Sequence, residues 1–403
     1  MTLNRVLMAH NFYRQTGGED TAYRNERDLI QSHGFDVYSY ERNNNEINEE
    51  SKLALLAHAT SLAWNRSTYD DITRVIRQFR PHIAHFHNTF QVISPSAYKA
   101  CQDNGVPVVQ TVHNYRLICP GGLLQREGVP CEDCVGHTLL PALRHRCYRR
   151  SLAGTAAVVW MLQRNRLMGT YRKYVNRYIA LTSFGASRLR AGGLPADKIA
   201  VKPNFLPSPP PVGPGGGRYA VYVGRLNEEK GIRTLLRAWK QLPDISLRII
   251  GDGPLADEVH VAVDASGGTI KHLGYLERSD ILENLLQAEL VVIPSECYEG
   301  FPMVVLEAYA CGTPVLASRI GSLDEVVVED ATGFKFKPGD AEDLAGKLRT
   351  LWKNRSLLQE MRMSVRRCFE ERYTAENNFA ALTSIYREVI SRRTGSNGRS
   401  QNG

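Results

Sequence analysis

The chain alternates short apolar runs with longer segments in which apolar residues recur every three or four positions. Runs such as Tyr219–Val223, Ser246–Ile250 and Leu290–Pro294 are rich in β-branched residues and have the length of buried parallel strands. Strand signals that alternate with helical ones predict βα units, so we expect an α/β protein with parallel sheets. Further strands are predicted at Arg5–Met8, Phe35–Tyr40, Ile83–Phe86, Val106–Val112, Ile270–Leu276 and Pro314–Ala317.

The alternation is interrupted by the segment LPSPPPVGPGGG at 206–217, where proline and glycine exclude a continuous helix or central strand. A chain of 403 residues is also longer than a single hydrophobic core usually supports. We therefore predict two domains joined by a linker. The predicted ranges are 1–206 for the N-terminal domain with an insertion at 117–150, 207–217 for the linker, 218–372 for the C-terminal domain, 373–393 for a last helix and 394–403 for an unstructured tail.

The most informative segment contains two glutamates eight residues apart, Glu299 and Glu307, between the strands predicted at 290–294 and 314–317. The strand–loop–helix–strand order places this loop at the carboxyl end of a sheet, where open α/β folds bind ligands. Free amides at the start of such a helix attract phosphate. Glu307, about one and a half turns into the helix, would accept hydrogen bonds from a ribose diol, and Glu299 would reach a sugar beyond the diphosphate. The residues expected to bind at this loop are Gly300, Phe301, Met303 and Val304.

Three other loops of the same half are predicted to meet at this sheet edge. The first follows Tyr219–Val223 and contains Gly224, Arg225 and Lys230, whose two cations suit a diphosphate. The second contains Gly253 in a Gly-Asp-Gly-Pro turn that allows close backbone approach, and the third contains Tyr275, near which a base would lie. Loop arginines and lysines are also common as solvated surface groups, so this pattern gains weight from the convergence of four loops.

The N-terminal half carries its own candidate residues at predicted strand ends. Gly17 and Gly18 form a loop before a helix, and His87-Asn88 and His113 each follow an apolar run. A structural role for a histidine at the end of a strand is the alternative to a functional one.

These motifs resemble the donor half of the retaining glycosyltransferases of family 4, which have the GT-B fold of two facing Rossmann-like domains. The resemblance rests on Gly-Arg-Leu at 224–226, Gly-Asp-Gly-Pro at 251–254, Leu-Gly-Tyr at 273–275 and the Glu-Gly-Phe block at 299–315, and it covers about residues 5–390. Pro302 departs from the family, which usually has glycine there.

The resemblance implies a function and roles for individual residues. It implies transfer of a sugar from a nucleotide-sugar donor to a saccharide or polyprenol-linked acceptor, without a cofactor and with front-face attack. Glu299, His113, Arg225 and Lys230 would act in catalysis, and Gly17 and Gly18 would approach the diphosphate across an interdomain cleft. His87 and Asn88 would lie on the acceptor side, and the last helix would return to the N-terminal domain.

Four of the eight cysteines fall in the insertion. Cys131 and Cys134 have the spacing of a zinc knuckle, and Cys119 and Cys147 would complete a tetrahedral structural site. A reducing compartment favours metal over disulfides. Buried free thiols are the alternative.

A net charge of +8 and a pI near 9.0 suggest an anionic partner. Basic residues crowd around the apolar run 152–162, which is too short to span a bilayer, so we expect peripheral contact with anionic lipid. We therefore expect a cytoplasmic protein at the inner face of the cell membrane, in polysaccharide or glycolipid biosynthesis. A nucleic-acid-binding protein leaves the donor loops unexplained, and a sugar epimerase or phosphorylase of similar fold is the closer alternative.

Overall fold

The computed structural model describes residues 3–15, 17–47 and 59–397, the last five of them by backbone alone. The chain separates into two compact units, which are described one at a time. Unit 1 comprises Met1–Leu124, Glu132–Asn204 and Asn378–Gly403, and unit 2 comprises Gln125–Cys131 and Phe205–Asn377. A short hairpin of the predicted insertion, residues 125–130, is thus grouped with unit 2.

Unit 1 is built on a six-stranded sheet in which all neighbouring strands are parallel. The strand order is β2-β1-β3-β4-β7-β8, so the direction of winding reverses between β1 and β3. Three predicted strands are confirmed with longer or shifted ends, and Ile83–Phe86 is confirmed as predicted. The strands are β1 (Arg5–Phe12), β2 (Asp36–Asn43), β3 (Ile83–Phe86), β4 (Val108–Val112), β7 (Arg177–Ala180) and β8 (Ile199–Val201).

Unit 2 contains a second six-stranded parallel sheet, with the order β11-β10-β9-β12-β13-β14. This is the doubly wound order in which the first and fourth strands of the sheet lie side by side and their loops diverge. The strands are β9 (Tyr219–Val223), β10 (Ser246–Ile250), β11 (Ile270–Gly274), β12 (Leu290–Ile293), β13 (Val315–Ser318) and β14 (Gly333–Phe336); the hairpin is β5 (Gln125–Arg126) and β6 (Val129–Pro130).

Helices connect the strands in both units, as expected for parallel sheets. In unit 1 they are α1 (Gly18–Ser32), α2 (Arg66–Phe79), α3 (Ser96–Asp103), α4 (Leu140–His145), α5 (Leu152–Leu167), α6 (Thr170–Lys173) and α7 (Ser183–Ala191). In unit 2 they are α8 (Ile232–Trp239), α9 (Ala256–Ala265), α10 (Arg278–Gln287), α11 (Met303–Ala310), α12 (Gly321–Val326), α13 (Ala341–Lys353) and α14 (Arg355–Arg372). The last helix, α15, spans Ala375–Asn397.

Helix α15 begins at the end of unit 2 and belongs to unit 1 from Asn378 onward. Leu382 and Tyr386 are fully buried in the same apolar cluster as Val6 and Ile83 of the unit 1 sheet. The predicted unstructured tail, 394–403, overlaps this helix through Asn397, because extending a formed helix costs little. Residues 398–403 lie outside the described residues.

The predicted linker at 207–217 follows a fixed path along unit 2. Its backbone forms hydrogen bonds with other segments of unit 2, as in the 2.9 Å bonds from Gly213 N to Cys311 O and from Gly217 N to Gln287 O. Arg362 of α14 is 3% exposed and donates to the carbonyl oxygen of Gly213 at 2.9 Å. A buried guanidinium thus satisfies carbonyls that a Pro- and Gly-rich segment leaves without partners.

Candidate functional site

In unit 2 the candidate residues gather at the switch point of the sheet, between β9 and β12. The loop after β9 contains Arg225 and a short 3₁₀ turn, Glu228–Lys230. The loop after β12 contains Glu299. Loops at the carboxyl ends of such neighbouring strands border the crevice in which doubly wound folds bind ligands.

An ion pair joins these two loops. Lys230 Nζ lies 2.5 Å from Glu299 Oε1, and the Lys230 and Glu299 side chains are 30% and 12% exposed. Ser295 donates a second hydrogen bond to the same carboxylate oxygen, at 2.7 Å. Burial lowers the pKa of Lys230, but Glu299, together with Cys297 and Glu229, more than offsets this, so the pKa is raised and the ammonium stays charged. The predicted cation and carboxylate are therefore one half-buried pair.

Two glycines allow the backbone to pack tightly here. Gly231 has φ +70°, and a Cβ at this position would lie 1.8 Å from Pro294 O. Gly251, with φ +132°, would place a Cβ 2.0 Å from Gly224 O. Any side chain at either position would push the loops apart, since real Cβ atoms do not approach so closely. Gly253 is similarly close, because its Cβ would lie 2.7 Å from Leu226 O.

Arg225 and Tyr275 are the exposed members of the predicted set. The side chain of Arg225 is exposed, and its loop is held by a 2.9 Å hydrogen bond from the Tyr222 hydroxyl to its carbonyl oxygen. Tyr275 is 75% exposed after β11. Both side chains are therefore accessible to a ligand at this edge of unit 2.

Helix α11 begins at Met303, with Pro302 in an extended conformation as its N-cap. This corrects the expectation for Phe301 and shows how the proline at 302 affects the helix start. Phe301 lies before the cap with its side chain buried, so its amide is not part of the first helical turn. Pro302 lies outside the helix, so it removes none of the free amides of that turn, which begin with Met303 and Val304.

Glu307 lies more than one turn into α11 and is half-buried. Burial raises the pKa of its carboxyl, and Arg278 opposes this shift. Arg278 stands at the start of α10, and its Nε and Nη2 atoms are buried with no hydrogen-bond partner among the described residues. Buried guanidinium donors usually have partners, so Arg278 joins Glu307 as a candidate ligand-binding residue. Sequence reasoning missed it, because an arginine at a helix start is ordinary in sequence.

In unit 1 the corresponding switch point lies between β1 and β3, and the Gly17-Gly18 loop follows β1. Gly17 is the N-cap of α1 and donates its backbone N–H to Asp20 Oδ2 at 2.9 Å. The other oxygen of Asp20 lies 2.7 Å from Nε2 of the fully buried His10. A β1 histidine and an α1 carboxylate together fix the start of this loop, although neither was predicted.

Glu19, beside this loop, also has an unusual environment for a titratable group. Burial raises the pKa of its carboxyl to about 7, with Asp20 adding to the effect and Asn114 opposing it. Asn114 Nδ2 donates to Glu19 Oε2 at 3.0 Å. A carboxyl that titrates near neutral pH marks a candidate functional site.

The two predicted histidines form a direct contact in unit 1. His87 Nδ1 and His113 Nε2 are 2.9 Å apart, and His87 lies against the carboxylate of Glu26 from α1. Asn88 is 7% exposed and donates to Asn11 O at 2.7 Å. Its amide oxygen accepts from Phe90 N at 2.9 Å. The contacts of Asn88 thus hold backbone together, which differs from the expected acceptor-binding role.

Among the described residues, one group of three potential metal ligands lies within 4.8 Å, namely Glu26, His85 and His87. Lys202 Nζ is 2.5 Å from Glu26 Oε2, and both side chains are almost fully buried. An ammonium group already neutralises this carboxylate, which disfavours a divalent cation there.

The cysteines predicted to bind zinc form no such group among the described residues, so the expected four-thiolate geometry is not observed. None of the four is paired in a disulfide among the described residues. Cys134 packs in an apolar cluster with Leu139, Ala142 and Val158. It thus packs as a small buried hydrophobic residue.

Comparison with known proteins identifies two families along the chain. Residues 16–207 match the model of Glycosyltransferase Family 4, and residues 210–367 match the model of Glycosyl transferases group 1. Among curated proteins, the sulfoquinovosyl transferase SQD2 of Arabidopsis thaliana is 30% identical over 53% of this chain and 42% of its own length. A glycogen synthase of Mycobacterium tuberculosis is 31% identical over 41% of each chain. The chain thus spans less than half the length of these curated relatives.

Solved structures share the fold over nearly the whole chain. Sucrose-phosphate synthase from Thermosynechococcus elongatus superposes with a TM-score of 0.71 at 16% identity, covering 96% of this chain and 100% of its own. Anabaena HepE in complex with UDP superposes with a TM-score of 0.64 at 16% identity, covering 96% and 99%.

Proposed function

The chain belongs to the group 1 glycosyltransferases of family 4, with the GT-B fold, and we propose that it transfers a sugar from a nucleoside diphosphate sugar to a saccharide or lipid-linked acceptor with retention of anomeric configuration. The observation that carries this proposal is the Lys230–Glu299 pair at the switch point of unit 2, half-buried between two glycine-tightened loops. A cation that is charged but not enclosed is available to a ligand phosphate.

The diphosphate is proposed to bind at the loop after β9 and the start of α11. Lys230 supplies a point charge and the exposed Arg225 a planar donor fork. Met303 and Val304 contribute backbone N–H groups at a helix start, where negative charge is favoured. Donors fixed in advance at the place where charge develops stabilise the transition state more than water does.

The ribose is proposed to bind at Glu307, and the base near the exposed Tyr275. Because burial raises the pKa of Glu307, binding benefits from a nearby positive charge, which Arg278 provides. Glu299 is proposed to turn toward the sugar as Lys230 engages the phosphate, so one carboxylate would serve each end of the donor. Anabaena HepE binds UDP in its solved complex, and we propose that this chain also binds a nucleoside diphosphate.

In the proposed reaction the bond from the anomeric carbon to the phosphate oxygen breaks while the acceptor oxygen attacks the same face. The acceptor hydroxyl gives its proton to an oxygen of the departing phosphate, so the products are the glycoside and the nucleoside diphosphate. No cofactor enters this balance. The retained configuration and front-face attack are proposals that follow from the family.

We also propose that the protein works at the cytoplasmic face of a membrane, in polysaccharide or glycolipid biosynthesis. Residues 134–196 contain eleven arginines and lysines and no acidic residue, whereas the whole chain has a formal net charge of +8. Large exposed apolar side chains lie in the same region, at Leu152 (54%), Trp160 (56%) and Leu167 (78%). No helix in the described part of the chain has the length and hydropathy to cross a bilayer.

Helix α5 concentrates this surface. Positions 153, 156, 160, 163 and 167 are all exposed and share one side of a helix at 3.6 residues per turn. Trp160 and Leu167 would enter the interface while exposed cations such as Arg150 and Arg172 meet anionic headgroups.

Vesicle flotation tests this surface. The wild-type protein should float with vesicles that contain phosphatidylglycerol, and Trp160→Ser should reduce the fraction that floats. Met363→Ser is the control, because Met363 is a similarly exposed apolar residue of unit 2. Equal flotation of both variants would contradict the proposal.

Acceptor-dependent release of nucleoside diphosphate tests the transferase proposal. A panel of UDP-, GDP- and ADP-sugars is incubated with and without a mixture of saccharide and polyprenol-linked acceptors. Nucleoside diphosphate and a new α-linked glycoside from an α-linked donor should appear together, and only with acceptor. Epimerised sugar without transfer, or sugar 1-phosphate formed only with inorganic phosphate, would contradict it.

A further inference from the structure

A chain of four side chains in unit 1 leads from a lysine to His113. Lys202 Nζ lies 2.5 Å from Glu26 Oε2, and Glu26 Oε1 lies 3.3 Å from His87 Nε2. His87 Nδ1 then lies 2.9 Å from His113 Nε2. The first three side chains are almost fully buried, so water does not compete for these contacts.

The two imidazole rings are linked edge to edge. Their planes are 23° apart and their centroids 5.1 Å apart, while the nitrogen–nitrogen distance is 2.9 Å. That distance is within the range of a hydrogen bond. One of the two nitrogens therefore carries the proton and the other accepts it.

Glu26 determines which nitrogen that is. Burial alone would raise the pKa of Glu26, but Lys202, with His87 and His85, holds it well below its usual range. The carboxylate is thus ionised and accepts only. The 3.3 Å contact between Glu26 Oε1 and His87 Nε2 is poorly aligned for a hydrogen bond, since neither atom has a hydrogen-bond partner among the described residues. An ionised carboxylate still favours an N–H over a lone pair on the ring nitrogen that faces it. Because Lys202 already supplies the positive charge beside Glu26, we assign His87 a single ring proton at Nε2, which leaves Nδ1 as the acceptor.

It follows that His113 donates from Nε2 to His87 Nδ1. Burial, with the neighbouring His87 and His10, holds the pKa of His113 well below its usual range, so its ring is neutral and Nδ1 carries a lone pair. Among the residues that the structure describes, none hydrogen-bonds to His113 Nδ1, and the residue as a whole is partly exposed.

The other groups around His87 leave this assignment unchanged. The rings of Tyr23 and His10 meet it edge to face, with centroids 5.3 and 6.3 Å away. His85 is tilted by 40°, and its two nitrogens lie next to the hydroxyl groups of Tyr386 and Thr111. None of these side chains supplies a polar atom to either nitrogen of His87.

We propose that Glu26 is a positioning residue that fixes the tautomer of His113 through His87, so that His113 accepts a hydrogen bond at Nδ1 from a hydroxyl group of the transferred sugar. The tautomer assignment stands on unit 1 alone, and its use for a sugar rests on the proposed function. Glu26, His87 and Lys202 then determine whether His113 accepts or donates a hydrogen bond at Nδ1.

Long-range ¹H–¹⁵N correlation spectra of protein labelled with ¹⁵N-histidine test the tautomers without any substrate. His87 and His113 are assigned from the peaks lost in His87→Asn and His113→Asn. Both rings should be neutral with the proton on Nε2 at pH 7. A proton on Nδ1 of His113, or an imidazolium, would overturn the proposal from the wild-type spectrum alone.

Glu26→Gln should invert both tautomers. Lys202 Nζ donates, so it keeps the oxygen of the new side-chain amide and turns the NH₂ group toward His87 Nε2. His87 would then carry its proton on Nδ1 and donate to His113 Nε2, which moves the proton of His113 to Nδ1. Asp28→Asn is the matched control, because Asp28 lies on the same helix and is 63% exposed. An unchanged His113 in a folded Glu26→Gln variant would contradict the relay.

Donor analogues test the use of the tautomer. A fluorine accepts but does not donate, so wild-type kcat/KM should fall by roughly three- to tenfold when the contacted hydroxyl is replaced by fluorine, the value of about one hydrogen bond. Glu26→Gln should lose this discrimination. If the spectra are as expected but no sugar is transferred to any acceptor, the proposed function is refuted and the tautomer assignment stands. If the wild-type protein and Glu26→Gln discriminate equally between the hydroxyl and fluoro donors, the proposed sugar contact is overturned.

Discussion

Each unit contains a lysine–glutamate pair with the same 2.5 Å separation between Nζ and a carboxylate oxygen, but the two pairs differ in burial. In unit 1, Lys202 and Glu26 are 2% and 4% exposed. In unit 2, Lys230 and Glu299 are 30% and 12% exposed. A closed pair organises its neighbours and is costly to break, whereas a half-open pair can exchange its partner for a ligand. Equal distances thus correspond to different roles.

The largest effect is expected from removing the enclosed lysine. Lys202→Met leaves Glu26 buried without its cation and should lower the free energy of unfolding by about 3–5 kcal/mol. Lys230→Met should lower it by about 1 kcal/mol or less, because solvent screens that pair. Urea unfolding of both variants measures the difference. Similar losses would mean that burial does not distinguish the two pairs.

Activity should show the opposite order. Lys230→Met should lower the turnover number by about 100-fold, or about 2.7 kcal/mol, as for loss of one preorganised donor to a developing charge. Arg233→Met is the control, since Arg233 is half-exposed in the same unit and pairs with Glu258. Wild-type turnover in Lys230→Met would contradict the proposal that the diphosphate binds at this loop.

Acid should weaken unit 1 through its buried histidines. The pKa values of His10, His85 and His113 are lowered, mainly by burial. Below about pH 6.5 the unfolded chain therefore binds protons that the folded chain does not, and stability decreases as the pH is lowered. The raised pKa of Glu19 has the opposite effect and cancels about the contribution of one histidine. We therefore expect the free energy of unfolding to fall by roughly 2 kcal/mol between pH 6.5 and 5.5. Unfolding midpoints in urea across this range provide the check, and a flat profile would contradict it.

Glu19 itself should cost stability at high pH. Its pKa of about 7 in the folded chain lies above its unfolded value, so the cost appears as pH rises above 4.5 and is complete above 7. Glu19→Gln should raise the free energy of unfolding at pH 8 by roughly 1–2 kcal/mol and leave it unchanged near pH 4.5. A gain that does not depend on pH would point to packing instead.

Much of the fold was predictable from sequence, because buried parallel strands are continuous apolar runs; Tyr219–Val223 and Ser246–Ile250 were predicted with their observed ends. Most of the proposed donor site could be predicted from the spacing of Glu299 and Glu307. The Glu26–Lys202 contact was out of reach, since 176 residues separate the partners and each alone is an ordinary surface type. The cysteine spacing predicts a zinc site that the described residues do not assemble; spacing does not reveal burial, and Cys134 is part of an apolar cluster.

The central claim, that unit 2 holds a nucleoside diphosphate with Glu307 at the ribose and Glu299 beyond the diphosphate, is tested most directly by calorimetry. UDP, GDP and ADP are titrated into the wild-type protein, and the nucleotide that binds is titrated into Glu307→Gln and Glu299→Gln. Glu307→Gln should weaken binding by about tenfold, or about 1.4 kcal/mol, while Glu299→Gln should keep wild-type affinity and lose turnover instead. Equal loss of nucleotide affinity in both variants, or no binding of any nucleotide to the wild-type protein, would contradict the account.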